Sequence, residues 1–519
     1  VATSRANVPL PQVNVSPDLI AIAPPIPSHN MSEEQTFKLR QKDNWWATDR
    51  VQPKQRPAQE RVQDFCEIYA TLSPEMAQKE AARCIECAEP TCTLGCPLGN
   101  HIQDWLRLTA EGKFLEAAAV SQSTSNMPEI CSRVCPQERL CEKGCVLRAK
   151  GEAVAIGSIE RFINEYAFEH EGVHAAPPAV RYDQKVAVVG SGPAGLACAD
   201  QLAQRGYRVT VFEAAHMPGG LLMFGIPGFK LEKHIVQRRI EVLRKRGVEF
   251  QCDVEVGKDI SLAQLQQKGF EAIFLGTGAQ KAKEMEIEGR QLKGVYQALP
   301  FLIQTSPETW TLPRRPGVEP IELKGRKVAV LGGGDTAMDC LRTALRLGAS
   351  EAVCVYRRDE ANMPGSKKEF VNAKAECAQF LWLANPVRLI GDKAGCVRQV
   401  ECQPMKLGAP DAKGRRSPVP ANEPNFLVEA DIVVIAFGFD PSPLETGTEE
   451  KFRTTRWGTF AVDDNGMTNI PGIFAGGDCV NGADLVVTAV RAGRSAAASM
   501  DRYLSAKRQS GGGNGQRPR

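Results

Sequence analysis

One piece of local grammar, a strand, a glycine-rich turn, a helix and a second strand, occurs twice in the 519-residue chain and constrains its fold more than any other feature. KVAVVG (Lys185 to Gly190) reads as a buried strand and is followed by the helical LACADQLAQRG and the strand RVTVFEA. KVAVLG (Lys327 to Gly332) is followed in the same way by AMDCLRTALRLG and AVCVYRR. Short apolar runs alternating with helices are the unit of a parallel sheet covered on both faces. Two such units about 140 residues apart predict two dinucleotide-binding α/β domains, and the segment after about residue 440 must return to complete one of them.

In the first unit Gly190, Gly192 and Gly195 satisfy GxGxxG between strand and helix. The first glycine permits the tight turn, the second lets a pyrophosphate approach the backbone, and the third lets helix and strand pack closely. The helix N-terminus then offers free N–H groups to the phosphates. Glu213 ends the second strand, where a carboxylate accepts ribose hydroxyls. The second unit carries Gly332, Gly334 and Ala337, but its second strand ends in Tyr356, Arg357 and Arg358. A guanidinium pairs with a 2′-phosphate that a carboxylate would repel, so this turn is expected to take NADPH and the first to take FAD.

Four cysteines, Cys84, Cys87, Cys92 and Cys96, crowd into CIECAEPTCTLGCP, and a second set, Cys131, Cys135, Cys141 and Cys145, lies in CSRVCPQERLCEKGC. A zinc site asks for four ligands, commonly two CxxC pairs, and leaves this crowding unexplained. Eight cysteines in two groups, each with a Cys-Pro step (Cys96-Pro97, Cys135-Pro136), suit about two [4Fe–4S] clusters. In two-cluster ferredoxins the cysteine before such a proline ligates the other cluster, so a crossed arrangement is expected here too. Flavin splits the two electrons of a hydride into single electrons, and clusters carry single electrons onward.

The remaining composition excludes several classes. With 43% hydrophobic and 24% charged residues, a chain of this length is globular and multidomain. A formal charge of +3, from 64 basic and 61 acidic residues, gives nucleic-acid binding little support, and the basic end (Lys507, Arg508, Arg517, Arg519) reads as solvated. Leu19 to Ala23 is too short for a signal-peptide core, and no run approaches a membrane span. A cytoplasmic location is therefore expected, where thiols stay reduced and seventeen cysteines imply metal or redox duty for some of them. Residues 1–35 read as a disordered leader, and Met31 is an alternative to Val1 as the start of translation.

Over about residues 40 to 505 the chain resembles the small (beta) subunit family of NADPH-dependent glutamate synthase. The resemblance is carried by the two cysteine segments and by AIGSIERFI, VGSGPAGLACAD, GGLLMFGIPGFKLEK, LGGGDTAMDC, YRRDEANMPGSKKE, VVIAFGF and IFAGGDCVNGADLVVTA; DAKGRRSPVP (Asp411 to Pro420) adds to it. The wider group includes the N-terminal half of dihydropyrimidine dehydrogenase and the large subunit of flavin-bifurcating ferredoxin:NADP oxidoreductases. The resemblance implies an α/β protein with an N-terminal all-α iron–sulfur domain and two Rossmann-like, glutathione-reductase-like domains, the NADPH domain inserted in the FAD domain. The expected boundaries are 36–180 for the helical domain, 183–305 and 441–506 for the FAD domain, 306–440 for the NADPH domain, and 507–519 for a flexible tail.

The resemblance further implies Cys84, Cys87, Cys92 and Cys145 as ligands of one cluster, and Cys96, Cys135, Cys141 and one other residue as ligands of the second. In relatives that last ligand is a Glu or Gln after the final cysteine, and Glu160 stands there; by chemistry alone Cys131 is the rival. Pro193, Ala194, Gly219, Gly220, Leu221, Gly477 and Asp478 are implied as flavin contacts, with Asp335 and Thr336 on the NADPH side. Thioredoxin reductase shares the flavoprotein layout but uses a CxxC dithiol, whereas Cys340 and Cys354 stand alone here. The expected electron path runs from NADPH to FAD, to two [4Fe–4S] clusters, to a large (alpha) subunit that makes L-glutamate from L-glutamine and 2-oxoglutarate. The rival is a paralogous diaphorase subunit serving a formate dehydrogenase, a hydrogenase or a ferredoxin. A scaffold with decayed sites is disfavoured because both glycine turns and all the cysteines are intact. The arginine pair yields a test: Arg357→Ala is expected to raise KM for NADPH much more than for NADH, and equal effects would refute the 2′-phosphate role.

Overall fold

The computed structural model describes residues 48–307, 321–410, 416–441, 444 and 450–511. The leader expected over 1–35 and the alternative start at Met31 lie outside the described residues.

Strand Lys185–Val189 is buried from its second residue onward, as a strand covered on both faces must be. It is the centre of a five-stranded parallel sheet in the order Ile473–Ala475, Phe270–Leu275, Lys185–Val189, Arg208–Phe212, Glu249–Gln251. The chain therefore returns after a long excursion to add Ile473–Ala475 at one edge. Within the excursion lies a second five-stranded parallel sheet, in the order Val295–Gln297, Ile432–Ile435, Lys327–Leu331, Glu351–Tyr356, Gln379–Trp382. In each sheet the strand bearing the glycine turn sits where the order reverses, the place at which such folds leave a crevice beyond the strand ends. An antiparallel layer, Ala384–Gly391, Val397–Pro410, Arg416–Pro420 and Phe426–Glu429, is attached to the second sheet's unit.

Two boundaries differ from expectation. Val295–Gln297 and helix Ala298–Thr305 belong to the second sheet rather than to the first unit, because Val295 to Gln297 pair with Val433 to Ile435. Helix Val486–Gly511 runs through the residues expected to open the tail, since it lies along helix Pro193–Gln204 and buries Val490, Ala497, Met500 and Leu504 in the first core.

The N-terminal unit is built on helices Pro74–Ala81, Ile102–Ala110, Phe114–Thr124, Pro128–Val134 and Ile156–Glu169. Trp105, Leu106, Ala117, Ile159 and Ile163 form its core. The apolar periodicity of Ile102 to Gln122 is interrupted at Gly112, whose φ of +77° ends one helix so that the next can fold back on it. Cys92 and Cys131 lie inside the short helices Thr91–Gly95 and Pro128–Val134.

The three units meet on one buried carboxylate. Glu376 receives Arg61 Nε from the helical unit at 2.7 Å, and Arg342 Nε and Arg346 Nη1 from its own unit at 2.8 and 2.6 Å. Phe229, from the first nucleotide unit, lies 4.3 and 4.0 Å from the Arg342 and Arg346 guanidiniums. Burial alone would push the Glu376 carboxyl up, but hydrogen bonds from Arg342 and Arg346 bring it down to about 2. A carboxylate depressed in this way stabilises the fold above its unfolded pKa, and that stability is lost as pH falls through the folded value. Glu376→Ala is expected to cost roughly 3–5 kcal/mol, since it leaves buried guanidiniums uncompensated. A second check is acid titration: from pH 4.5 downward the urea midpoint of the wild type should fall more steeply than that of Glu376→Gln.

Candidate functional site

The two cysteine segments cross each other, and glycine is what lets them. A Cβ on Gly95 would stand 2.7 Å from Leu140 O, and one on Gly144 would stand 2.4 Å from Thr91 O. Both distances are below van der Waals contact, so neither position accepts a side chain without moving backbone. The crossing puts Cys145 beside Cys84, Cys87 and Cys92, whose thiols feel one another's charge. It also puts Cys96 beside Cys135, Cys141 and Glu160. The second group, with Cys131, lines one cavity that also includes Trp105, Gln137 and Val487. Among the described residues no group of His, Cys, Asp and Glu closes on a single-ion position.

Burial, with the neighbouring Cys92, Cys87 and Cys145, pushes the thiol of Cys84 up to about 12, and burial, with Glu160 and Cys131, pushes that of Cys96 up to about 11. Cys135 is held well above the usual range by its hydrogen bond to Cys131 and by burial, and Cys141 by burial. Thiols this crowded ionise together only when positive charge joins them, the condition that iron supplies. Burial pushes the Glu160 carboxyl up to about 8, against hydrogen bonds from Ser121 and Asn100. Both bonds fall on Oε1, at 3.4 Å from Ser121 Oγ and 2.8 Å from Asn100 Nδ2. Asn100 is fixed in turn by Trp105 Nε1 and Thr124 Oγ1, which donate to its Oδ1. Sequence reasoning missed Asn100, because its partners converge only in the fold.

At the first glycine turn, Gly190 has φ +90°, and a Cβ on Gly195 would lie 1.9 Å from Gly190 O, so strand and helix meet with no room for a side chain. A Cβ on Gly192, by contrast, would meet nothing within 4 Å, leaving the open approach a pyrophosphate needs. Gly192 is the N-cap of helix Pro193–Gln204 and provides no side-chain cap, so the first-turn N–H groups, Ala194 among them, are left for an anion. A Cβ on Gly220, which opens the short helix beginning at Leu221, would reach within 2.8 Å of Gly192 Cα, so the GGLL turn folds onto the same loop. Gly477 (φ +82°) closes over Ala194 and is followed by Asp478, whose carboxyl burial raises to about 6.

Glu213 is more committed than its sequence position suggests. Its Oε2 accepts from Ser191 N at 2.9 Å and from Ser191 Oγ, while Oε1 accepts from Ala215 N at 2.8 Å. The Ser191 hydroxyl accepts in turn from Gly219 N at 2.8 Å. With about four acceptor places on a carboxylate, roughly one remains for a ribose hydroxyl. Ser191, an unspecified position in GxGxxG, thus ties Glu213 to the GGLL turn.

At the second turn Gly334 caps helix Asp335–Arg346, again with no side-chain cap, leaving first-turn N–H groups, including that of Thr336, for phosphate. The Gly332 position is crowded, since a Cβ there would lie 2.4 Å from Ala436 O. Ala337 is fully buried. Asp335 uses Oδ1 to accept Ser366 N at 2.8 Å, so part of its carboxylate braces protein. Arg357 is exposed at the strand end; Arg358 is half-buried beside Tyr356, and its Nε is buried without a partner among the described residues. An unsatisfied guanidinium nitrogen fits a phosphate. Between the two turns, Lys230 Nζ from the first unit stands 2.9 Å from Asp339 Oδ1 of the second, an ion pair off the hydrogen-bond direction. Gly144→Ala is expected to lower the iron content of anaerobically purified protein sharply, whereas Gly151→Ala, where a Cβ meets nothing within 4 Å, should leave it unchanged.

Comparison with known proteins follows the same division. Residues 61–172 match the family described as dihydropyrimidine dehydrogenase domain II, 4Fe-4S cluster, and residues 184–493 match pyridine nucleotide-disulphide oxidoreductase. The glutamate synthase (NADPH) small chain of Azospirillum brasilense is 45% identical over 463 residues, spanning 88% of this chain and 95% of that one. The putative oxidoreductase AegA of Escherichia coli is 44% identical over 463 residues, spanning 88% of this chain and 70% of that one. The glutamate synthase (NADPH) small chain of Escherichia coli is 42% identical, spanning 88% and 97%. Among solved structures, FprA of Mycobacterium tuberculosis superposes with a TM-score of 0.54 at 19% identity, covering 64% of this chain and 88% of that one, which establishes shared fold.

Proposed function

Because the chain belongs to the family of the glutamate synthase (NADPH) small chains, we propose that this NADPH-dependent oxidoreductase is the electron-input subunit of a glutamate synthase. In this reading it binds FAD at the first glycine turn, NADPH at the second and two [4Fe–4S] clusters at the two thiol groups. The chemistry these groups supply when bound is hydride transfer, division of the electron pair, and single-electron conduction. No side-chain acid, base or nucleophile is needed for that, so the chain's work is to bind, orient and insulate.

The observation that carries this reading is where the second thiol group sits. Its cavity is walled on one side by Val487, from the helix that packs along Pro193–Gln204 of the flavin-side unit. The other thiol group lies across the Gly95 and Gly144 crossing. The two groups thus form a line leading away from the flavin side, which supports exit of electrons through the helical unit. Arg357 and Arg358 select the 2′-phosphate. Ser191 and Glu213 hold the pyrophosphate loop, and Phe229 and Lys230 hold the two nucleotide units together. Glu160 completes the second ligand set with Cys96, Cys135 and Cys141, and Cys84, Cys87, Cys92 and Cys145 form the first.

A second reading has an observation of its own: AegA, a putative oxidoreductase, is nearly as similar as the glutamate synthase chains, at 44% against 45% identity. A paralogous diaphorase subunit would share every residue discussed above. No helix of the described residues is long and apolar enough to cross a membrane. The deciding measurement is NADPH oxidation by the chain isolated from its own host with its native partner. Oxidation that requires both L-glutamine and 2-oxoglutarate is expected. An intact complex that reduces dyes with NADPH but ignores those substrates would establish the diaphorase reading instead.

A further inference from the structure

The helical unit reaches the second glycine turn with two side chains. Both come from the short 3-10 helix Gln137–Arg139, which lies between Cys135 and Cys141. Glu138 Oε1 accepts from Ser366 Oγ at 2.9 Å, and Arg139 Nη1 donates to Pro364 O at 3.0 Å. Residues 364–366 lie in turn against the nucleotide loop. Gly365 N donates to Gly333 O at 3.0 Å, and a Cβ on Gly365 would stand 3.6 Å from Asp335 N. The Arg139 guanidinium is thereby held beside the start of helix Asp335–Arg346, with Nη2 at 3.6 Å from Asp335 Oδ2.

Asp335 is the one acid in the first turn of that helix. Its charge suits a helix N-terminus but opposes a second anion arriving at the same N–H groups. Arg139 offsets it. At 3.6 Å the pair is ionic without being a hydrogen bond, so the Nη2 protons are not taken up by Asp335. The Arg139 side chain is 46% exposed, and a Cβ on Gly334 would meet nothing within 4 Å, so the approach to this helix end is open. As a surface ion pair alone the contact would add little stability. Its value lies in placement, because the Pro364 carbonyl already fixes the guanidinium before an anion arrives.

We propose that Arg139 is a phosphate-binding residue of the second nucleotide turn, supplied by the helical unit: it cancels the Asp335 charge and presents a cation to the pyrophosphate at the helix N-terminus. The inference rests on the reading that this turn takes NADPH. Arg357 and Arg358 stand at the strand end for the 2′-phosphate, whereas the pyrophosphate is common to NADPH and NADH, so Arg139 serves both nucleotides alike. The nucleotide site is then shared between two units, and the segment between Cys135 and Cys141 forms one edge of it.

The test uses the full chain, purified anaerobically with its bound groups, as wild type, Arg139→Gln and Arg139→Lys. NADP+ binding is measured by calorimetry, KM for NADPH and NADH by dye reduction, and iron and flavin by direct analysis. Arg139→Gln keeps a donor for Pro364 O but loses the charge, and Arg139→Lys keeps the charge. Arg139→Gln should weaken NADP+ binding about fivefold and raise both KM values by similar factors, with iron and flavin at wild-type level. Arg139→Lys should stay within about twofold of the wild type. Wild-type affinity in Arg139→Gln, or binding by Arg139→Lys as weak as by Arg139→Gln, would overturn the proposal. A rise in KM for NADPH alone would make Arg139 a 2′-phosphate contact, and loss of iron or flavin would make it a structural support; either result overturns the proposal as well. A wild-type chain that binds no NADP+ would instead remove the nucleotide reading on which the proposal stands.

Discussion

A single buried carboxylate, Glu376, holds three guanidiniums drawn from two units, and two of these, Arg342 and Arg346, lie over the Phe229 ring from a third. Three cations on one anion would be costly without further compensation, and the Glu369 carboxylate supplies it by taking Arg342 Nη1 at 2.5 Å. Because Arg61 contributes from the helical unit, the iron–sulfur domain cannot shift on the second nucleotide unit without exposing a buried charge pair. Gln55 and Tyr69 add hydrogen bonds to Asn372 on the same helix face, at 2.7 and 3.0 Å. The alignment of the two glycine turns depends on this contact, since Phe229 and Lys230 reach from the flavin side to helix Asp335–Arg346, which carries Arg342 and Arg346.

Electron transfer asks for fixed distances between groups rather than for a moving side chain, and the interfaces of this molecule are of that kind. The helical unit is pinned to the flavin-side unit by the buried bidentate pair of Arg239 and Glu129, at 2.7 and 2.8 Å. Glu67 draws in Arg133 and Arg161, each at 2.7 Å, beside the loop that carries Phe229. Ionic contacts of this burial are poor sources of net stability compared with apolar packing, but they tolerate few alternative arrangements. The same logic applies at the crossing of the cysteine segments, where backbone meets backbone at Gly95 and Gly144 and no slack is left.

Much of the site is readable in the sequence because it is local. The turns around Gly190 and Gly332 depend on residues within six positions of each other, and strand, turn and helix are each encoded by their own periodicity. The arginine pair after Tyr356 is equally local, being the end of a strand. Glu213 was legible as a carboxylate at a strand end, but its engagement with Ser191 was not, since the hydroxyl that occupies it lies 22 residues away in sequence. Asp335 was legible as part of a nucleotide turn, yet its side chain serves Ser366, 31 residues on. The boundary near residue 305 was misplaced for a related reason: Val295–Gln297 is short, and only its partner strand decides which sheet it joins.

The sequence by itself determined the two nucleotide turns, the class of the cofactors and the presence of two cysteine groups, because each rests on residue type and short spacing. Only the tertiary structure decided which thiols face one another. That outcome depends on two segments about fifty residues apart passing at van der Waals limit through two glycines, a close approach that no spacing encodes. It also decided that Cys131 and Glu160 share one cavity with Cys96, and that a residue as ordinary in sequence as Glu376 anchors all three units. Burial and convergence are properties of the packed chain, and they set the charge, pKa and ligand geometry on which the chemistry rests.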